Sequence, residues 1–265
     1  MKTAILLVAY GTSSPQGRGS LRQFDAWVRE RFPGISVRWA LSSELLRTRL
    51  TRARQKNDSV LKALHRLRLE NFTHVAVQPL QIIPGSEHTD VRADADEAGR
   101  LDGLHVSIGR PLLAGDEDIR AAARAVLAHL PQERRPDEDV VLMGHGSRKQ
   151  AVTAYAALAG AVRALDARVH VGTMSGALEL EALLPRLTSR RVWLMPLLSV
   201  VGRHTLEDMA GDAPDSWRSR IEAAGHACAP VVRGTAEYRA FADIWLRHLE
   251  DAVAALPTVK KDEEK

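Results

Sequence analysis

The chain has 265 residues, 45% apolar and 26% charged, the balance of a folded protein with core enough for one generous domain or two ordinary ones. No apolar run approaches the roughly 18–20 residues of a membrane-spanning helix, and a single cysteine, Cys228, excludes a disulfide framework and a cysteine-cluster metal site and suits the cytoplasm. The net charge of +4 comes from arginines dispersed among acidic residues, with aromatics at 5%, which argues against nucleic acid and is compatible with a small polyanionic substrate.

Residues 3–10 are a continuous apolar run ended by Gly-Thr-Ser-Ser-Pro, which predicts a buried parallel strand and a loop rather than a secretion signal, because no small-residue cleavage site follows. Leu21, Phe24, Val28 and Phe32 recur at helical spacing over 20–32, stopped by Pro33-Gly34. A second strand is expected over 35–40. Two helical stretches follow within 42–70, the second capped by Ser59. Strands over 74–80 and 104–108 alternate with helices over 89–101 and 116–130, the order of a mainly parallel sheet flanked by helices. The polar, proline-containing stretch 131–138 divides the chain. The order then restarts with strands over 139–143, 168–172, 191–197 and 227–232. Helices are expected over 148–165, 178–187, in two segments around 204–224, and over 235–253. The expected organisation is an α/β fold of two similar domains, 1–130 and 139–256, each with a central parallel sheet, facing across a cleft, with a charged, disordered tail over 257–265.

The halves echo each other. Tyr10-Gly11-Thr12 aligns with His145-Gly146-Ser147, Pro79-Leu80 with Pro196-Leu197, and Glu87 with His204, in the same order in both halves. Open α/β sheets bind ligands beyond the carboxyl ends of their strands. A duplicated unit therefore turns Tyr10, Glu87, His145 and His204 towards one cleft, a set suited to a divalent metal. His145 stands between two glycines, which let the backbone turn sharply, and an imidazole can bind metal or take a proton near neutral pH. The chain has no P-loop, no GxSxG elbow and no GxGxxG after a strand, so NTPase, hydrolase and dinucleotide readings lack their anchors. His74 reads as structural, His88 as a neighbour of Glu87.

Several segments carry a resemblance. They are LLVAYGTS at 6–13, WALSSELLRTRL at 39–50, THVAVQPLQIIPGSEH at 73–88, GHGS at 144–147, VGTMSG at 171–176 and HTLEDMAGDAPDSWRSRIEAAG at 204–225. In this order, over nearly the whole chain, they resemble the anaerobic cobalt chelatases, the CbiK-type sirohydrochlorin cobaltochelatases. The resemblance implies ATP-independent insertion of Co(II), with no organic cofactor, into sirohydrochlorin or its precursor precorrin-2 during cobalamin biosynthesis. It places the family's metal-binding and catalytic histidines on His145 and His204. It also implies a small homo-oligomer, while the lack of a convincing signal peptide favours a cytoplasmic location and the charge pattern and hydropathy argue for neither nucleic acid nor membrane as partner.

The family's T-x-E-G pattern reads Thr173-Met174-Ser175-Gly176 here, so Ser175 stands where a glutamate is expected. A serine hydroxyl is a poor ligand beside two imidazoles. Water, Glu87 or an altered metal preference are the alternatives, while Glu179 and Glu181 are expected on the next helix, facing elsewhere. The substrate-binding set comprises Tyr10, Ser13, Ile83, Glu87, Ser147, Met174 and Ser175. Leu80, Ile82, Ile83, Leu198 and Val200 are expected as apolar walls. Within the same chemistry, Fe(II) insertion for sirohaem is an alternative. A tetrapyrrole or metal carrier without turnover is another.

Overall fold

The computed structural model describes residues 2–55, 57–146 and 152–257, so Ser147 and the tail beyond 257 lie outside the described residues. Two four-stranded parallel sheets form its centre. The first holds β1 (Thr3–Ala9), β2 (Ser36–Leu41), β3 (His74–Pro79) and β4 (His105–Ile108), in spatial order β2-β1-β3-β4. The second holds β5 (Asp139–Gly144), β6 (Val169–Thr173), β7 (Arg191–Leu197) and β8 (Ala227–Pro230), in order β6-β5-β7-β8. The two orders are the same topology repeated. The register repeats as well: Val8 pairs with Pro79 in the first sheet and Met143 with Pro196 in the second.

The helices follow from local chemistry. Helix α1 (Pro15–Arg31) starts five residues before the expected position, because Ser14 accepts a bond from Gly17 N–H and Pro15 supplies a preset first-turn φ. Ser43 and Ser59 cap α2 (Glu44–Arg52) and α3 (Val60–Leu69) in the same way, Ser59 as expected. Helices α4 (Ser86–Ala98) and α5 (Asp116–Ala128) complete the first half. In the second, α6 (Val152–Leu165) is regular, whereas the expected helix over 178–187 reduces to α7 (Leu180–Leu183) and a 3-10 turn at Leu184–Arg186, where Pro185 removes a donor. The segment 204–224 divides into a π-helical turn, His204–Met209, and α8 (Trp217–Ala223), and α9 (Arg239–Ala254) closes the chain. Among the described residues no helix is long and apolar enough to cross a membrane.

Alternation along the central strands assigns each face. Ile5 and Leu7 of β1, with Val140 and Leu142 of β5, join one apolar cluster with Phe24, Val28, Leu158, Trp245 and Leu249. Ala4, Leu6 and Val8 turn to a separate layer under α3 and α4, and Val141 and Met143 to another under α7 and α8. The shared cluster arises because helices cross between halves. Helix α5, after the first sheet, lies against α6 and α9, and α9, after the second sheet, returns to β3 and β4 of the first. Phe24 of α1 meets Trp245 of α9 edge to face, ring centroids 6.1 Å apart.

A buried polar latch secures this crossing. His248 of α9 has no exposed surface; its Nε2 is 2.9 Å from Asp118 Oδ1 on α5 and its Nδ1 3.0 Å from the Arg110 carbonyl. Arg247 Nη2 donates to the same Asp118 oxygen at 2.9 Å. Removing one partner of such a buried set leaves the other uncompensated, so Asp118→Ala is expected to lower stability by roughly 3 kcal/mol in urea unfolding. A loss below about 0.5 kcal/mol would mean that apolar packing alone holds α9 in place.

Candidate metal and macrocycle site

The loops at the carboxyl ends of β1, β3, β5 and β7 converge on one cleft. The β1 loop of one half is tied to the β7 loop of the other: buried Thr12 Oγ1 donates to the Val201 carbonyl at 2.8 Å and accepts from Ser14 N–H at 3.0 Å. The approach is close enough that a Cβ on Gly17 would stand 2.2 Å from that same carbonyl. Tyr10 and His145 occupy equivalent positions after β1 and β5. Each is followed by a glycine in the left-handed region, Gly11 at φ +108° and Gly146 at φ +80°. Gly146 is also enclosed, since a Cβ there would lie 2.1 Å from the Ser175 carbonyl.

His145 and His204 come together. Their rings stand edge to face, 81° between planes, with centroids 5.1 Å apart, although two strands, β6 and β7, lie between them in the chain. That spacing suits two imidazoles sharing one cation, each at the ~2.0–2.1 Å usual for a nitrogen ligand. His204 Nδ1 faces Asp208 Oδ2 at 2.5 Å, and His145 Nδ1 lies 3.3 Å from the Gly146 carbonyl.

Glu87, in the first turn of α4, is half-buried and within electrostatic reach of His204. Burial pushes its carboxyl above the usual carboxylate range, Asp90 adds to that rise, and His204 opposes it. Among the described residues no three His, Cys, Asp or Glu side chains stand close enough to form a ready-made metal cage.

The other expected residues separate into groups. Tyr10 is 41% exposed at the cleft. Ser13 is exposed at the start of α1, its carbonyl accepting from Arg18 Nη1 at 2.6 Å. Ile83 is half-buried against the shared core, and Met174 packs on the outer layer of the second sheet. Ser175 is half-buried, its carbonyl against Gly146. The expected apolar walls are corrected: Leu80, Ile82 and Val200 are core residues, at most 8% exposed, because the strand ends that carry them continue into the shared cluster. The exposed apolar side chains by the cleft are instead Tyr10, Leu45 and Leu206. Leu45 lies in the first turn of α2, whose cap residue Ser43 donates its N–H to the Tyr10 carbonyl at 3.4 Å, and Leu206 follows His204 by two residues. Glu181 is ion-paired with Arg220 of α8, and His88 is buried beside Arg92. His74 is buried at the far end of β3 with Nδ1 2.8 Å from Thr73 Oγ1.

A profile of the cobalt chelatase (CbiK) family matches residues 3–254. The chain belongs to the cobalt chelatase family. It is 56% identical over 259 residues, 96% of this chain and 92% of the other, to the sirohydrochlorin cobaltochelatase CbiKC of Nitratidesulfovibrio vulgaris. It is 31% identical over 261 residues, 96% of this chain and 97% of the other, to the sirohydrochlorin cobaltochelatase of Salmonella typhimurium. Among solved structures the fold matches SirB from Bacillus subtilis with Fe3+, with a TM-score of 0.66 at 15% identity over 96% of both chains. Two parallel sheets facing across a cleft are thus the architecture of this chelatase family member.

Two residues beside the site were not singled out in the sequence. Asp208 carried a signal, its four-residue spacing from His204. Tyr155 carried none, because an aromatic on α6 reads as core. Tyr155 is indeed buried, under Gly144, where a Cβ would meet its ring at 2.5 Å. Its hydroxyl accepts from the backbone N–H groups of Gly146 and His145, and burial pushes its pKa up to about 12. The phenol thereby holds the turn that presents His145. Tyr155→Phe leaves those two N–H groups without their acceptor. It is expected to cost about 1–3 kcal/mol in thermal or urea unfolding and to lower metal insertion in a steady-state assay. Unchanged stability and turnover would show that the turn is held by Gly146 alone.

Proposed function

We infer that this chain inserts Co(II) into sirohydrochlorin without ATP, in the cytoplasm, on the route to cobalamin. The observation that carries the reading is the His145–His204 pair, on strand-end loops of the second half, in a chain 56% identical to a sirohydrochlorin cobaltochelatase. The metal is a substrate here, so it has to be held and then released. Two imidazoles, with water or one carboxylate, do this better than a closed four-ligand cage. Glu87, within electrostatic reach of His204, is the carboxylate we assign to assist, since Ser175 offers only a hydroxyl where the family pattern has a glutamate. Neutral imidazoles ligate, and a bound dication keeps them neutral.

Insertion replaces two pyrrole N–H protons by the metal, so two protons leave for each cation that enters. In this proposal both imidazoles hold the incoming cation; as it passes to the macrocycle His204 keeps hold of it, while His145, more exposed and hydrogen-bonded only weakly to its own turn, lets go and takes the pyrrole protons one at a time, passing each to solvent. Tyr10, Leu45 and Leu206 offer apolar surface to the face of the macrocycle. In this reading the exposed Ser13 and the N–H groups at the start of α1 bind rim carboxylates, and Ser147 is assigned to the same task from its place in the sequence motif alone. Ile83, Met174 and Ser175, all half-buried, are proposed to touch the macrocycle with the part of each side chain left exposed.

The test is anaerobic absorbance of sirohydrochlorin with Co(II) or Fe(II). Multiple turnovers by the wild type, faster with Co(II), are expected. His145→Ala is expected to fall by at least about 10²-fold, and equal rates would remove His145 from the mechanism. Ser175→Glu is expected to lower the KM for Co(II). Faster insertion of Fe(II) would assign the chain to sirohaem. Macrocycle binding without turnover would make it a carrier.

A further inference from the structure

The π-helical turn His204–Met209 is anchored from below. Thr205 and Met209 have no exposed surface, and the turn closes through Ala210 N–H to the Thr205 carbonyl at 3.2 Å, a five-residue link. Gly211 N–H then bonds the Glu207 carbonyl at 3.1 Å, and a Cβ on Gly211 would lie 2.3 Å from that oxygen. The backbone of this turn is therefore set by buried groups, and with it the separation of the side chains that face outward.

Two pairs of the same spacing lie side by side on it. Arg203 Nε donates to Glu207 Oε2 at 2.8 Å, and His204 Nδ1 faces Asp208 Oδ2 at 2.5 Å. Arg203 also feels the charge of Asp208, but its bond goes to Glu207, which leaves Asp208 to the histidine. An ionised carboxylate only accepts hydrogen bonds, so a proton sits on Nδ1, and in the neutral ring the lone pair is then on Nε2. The pair is 42% and 41% exposed, and pairs this exposed contribute little to folding. Orientation is what this bond supplies.

We propose that Asp208 is a positioning residue for the metal substrate, holding His204 in its Nδ1–H tautomer so that Nε2 is the nitrogen that takes the cation beside His145. The proposal rests on the chelatase reading for its consequence in turnover, but not for the tautomer itself. A free imidazole divides its proton between the two nitrogens and rotates about its bonds. Either freedom would move the lone pair away from the point that His145 shares. Carboxylate partners of metal-bound histidines act in this sense, and their loss commonly costs ten- to a hundredfold in metal affinity or activity.

The experiment uses the full chain as wild type, Asp208→Ala and Asp208→Asn, with Asp208→Ser in reserve should the alanine variant fold poorly by circular dichroism. Three quantities are read: the ring-nitrogen NMR shifts of His204, assigned by comparison with His204→Gln; Co(II) affinity by titration without tetrapyrrole; and the separate KM values for Co(II) and sirohydrochlorin. Asp208→Ala is expected to lose the Nδ1–H pattern and to bind Co(II) ten- to a hundredfold more weakly, with the KM for sirohydrochlorin within about twofold of wild type. Asp208→Asn is expected to recover most of the loss, because its amide oxygen accepts the same bond.

An unchanged nitrogen pattern in Asp208→Ala, or an unchanged Co(II) affinity, would overturn the proposal. So would an asparagine variant as weak as the alanine one, because charge rather than the bond would then be at work. If the wild type turns over no sirohydrochlorin, the chelatase reading fails, while the nitrogen shifts and the Co(II) titration still decide the role of Asp208.

Discussion

The apolar cluster that runs beneath both sheets is the constraint on which the site depends. Ile5 and Leu7 of β1 share it with Val140 and Leu142 of β5, and α1, α5, α6 and α9 fill the space between them. Two α/β units joined only by a linker would be free to rotate. Here each half lends its last helix to the other's packing, so moving one sheet means opening a close-packed interior. The carboxyl ends of the strands are thereby held towards one cleft. The buried bond from Thr12 to the Val201 carbonyl then fixes the two sets of loops at atomic distance.

On this rigid base the residues at the cleft are held with different degrees of firmness. The His145 turn is set by a glycine that tolerates no side chain and by a buried phenol. The His204 turn is set by Thr205 and Met209 beneath it. Glu87 arrives from the other half on the first turn of α4, close enough to interact electrostatically with His204, and among the described residues the three form no cage. Two imidazoles on separate loops suit a cation in transit. A site for a resident metal would be expected to close around it, as structural zinc sites do.

Much of the fold was legible because its strands are short apolar runs and its helices have capping residues. The eight strands fall within a residue or two of their expected places, since full burial selects the same residue types that favour strands. Ser59 could be read as a cap from its position before an apolar stretch. The helix expected over 178–187 was overestimated because periodicity is blind to the local effect of Pro185. The apolar cleft walls were misread for a related reason. Leu80, Ile82 and Val200 sit at strand ends, where sequence does not say which side of the backbone faces the core and which the cleft.

The sequence by itself determined the two repeated α/β units, the glycines that turn the strand ends, and the two histidines after β5 and β7, because these depend on residue type and short spacing. Only the tertiary structure decided that α5 and α9 exchange partners, that Tyr155 supports the His145 turn from α6, and that Asp208 rather than Glu207 takes His204. Each of those depends on which side chains meet across long separations or which face of a turn is buried. Such meetings are settled by packing of the whole chain, and no local pattern of residues encodes them.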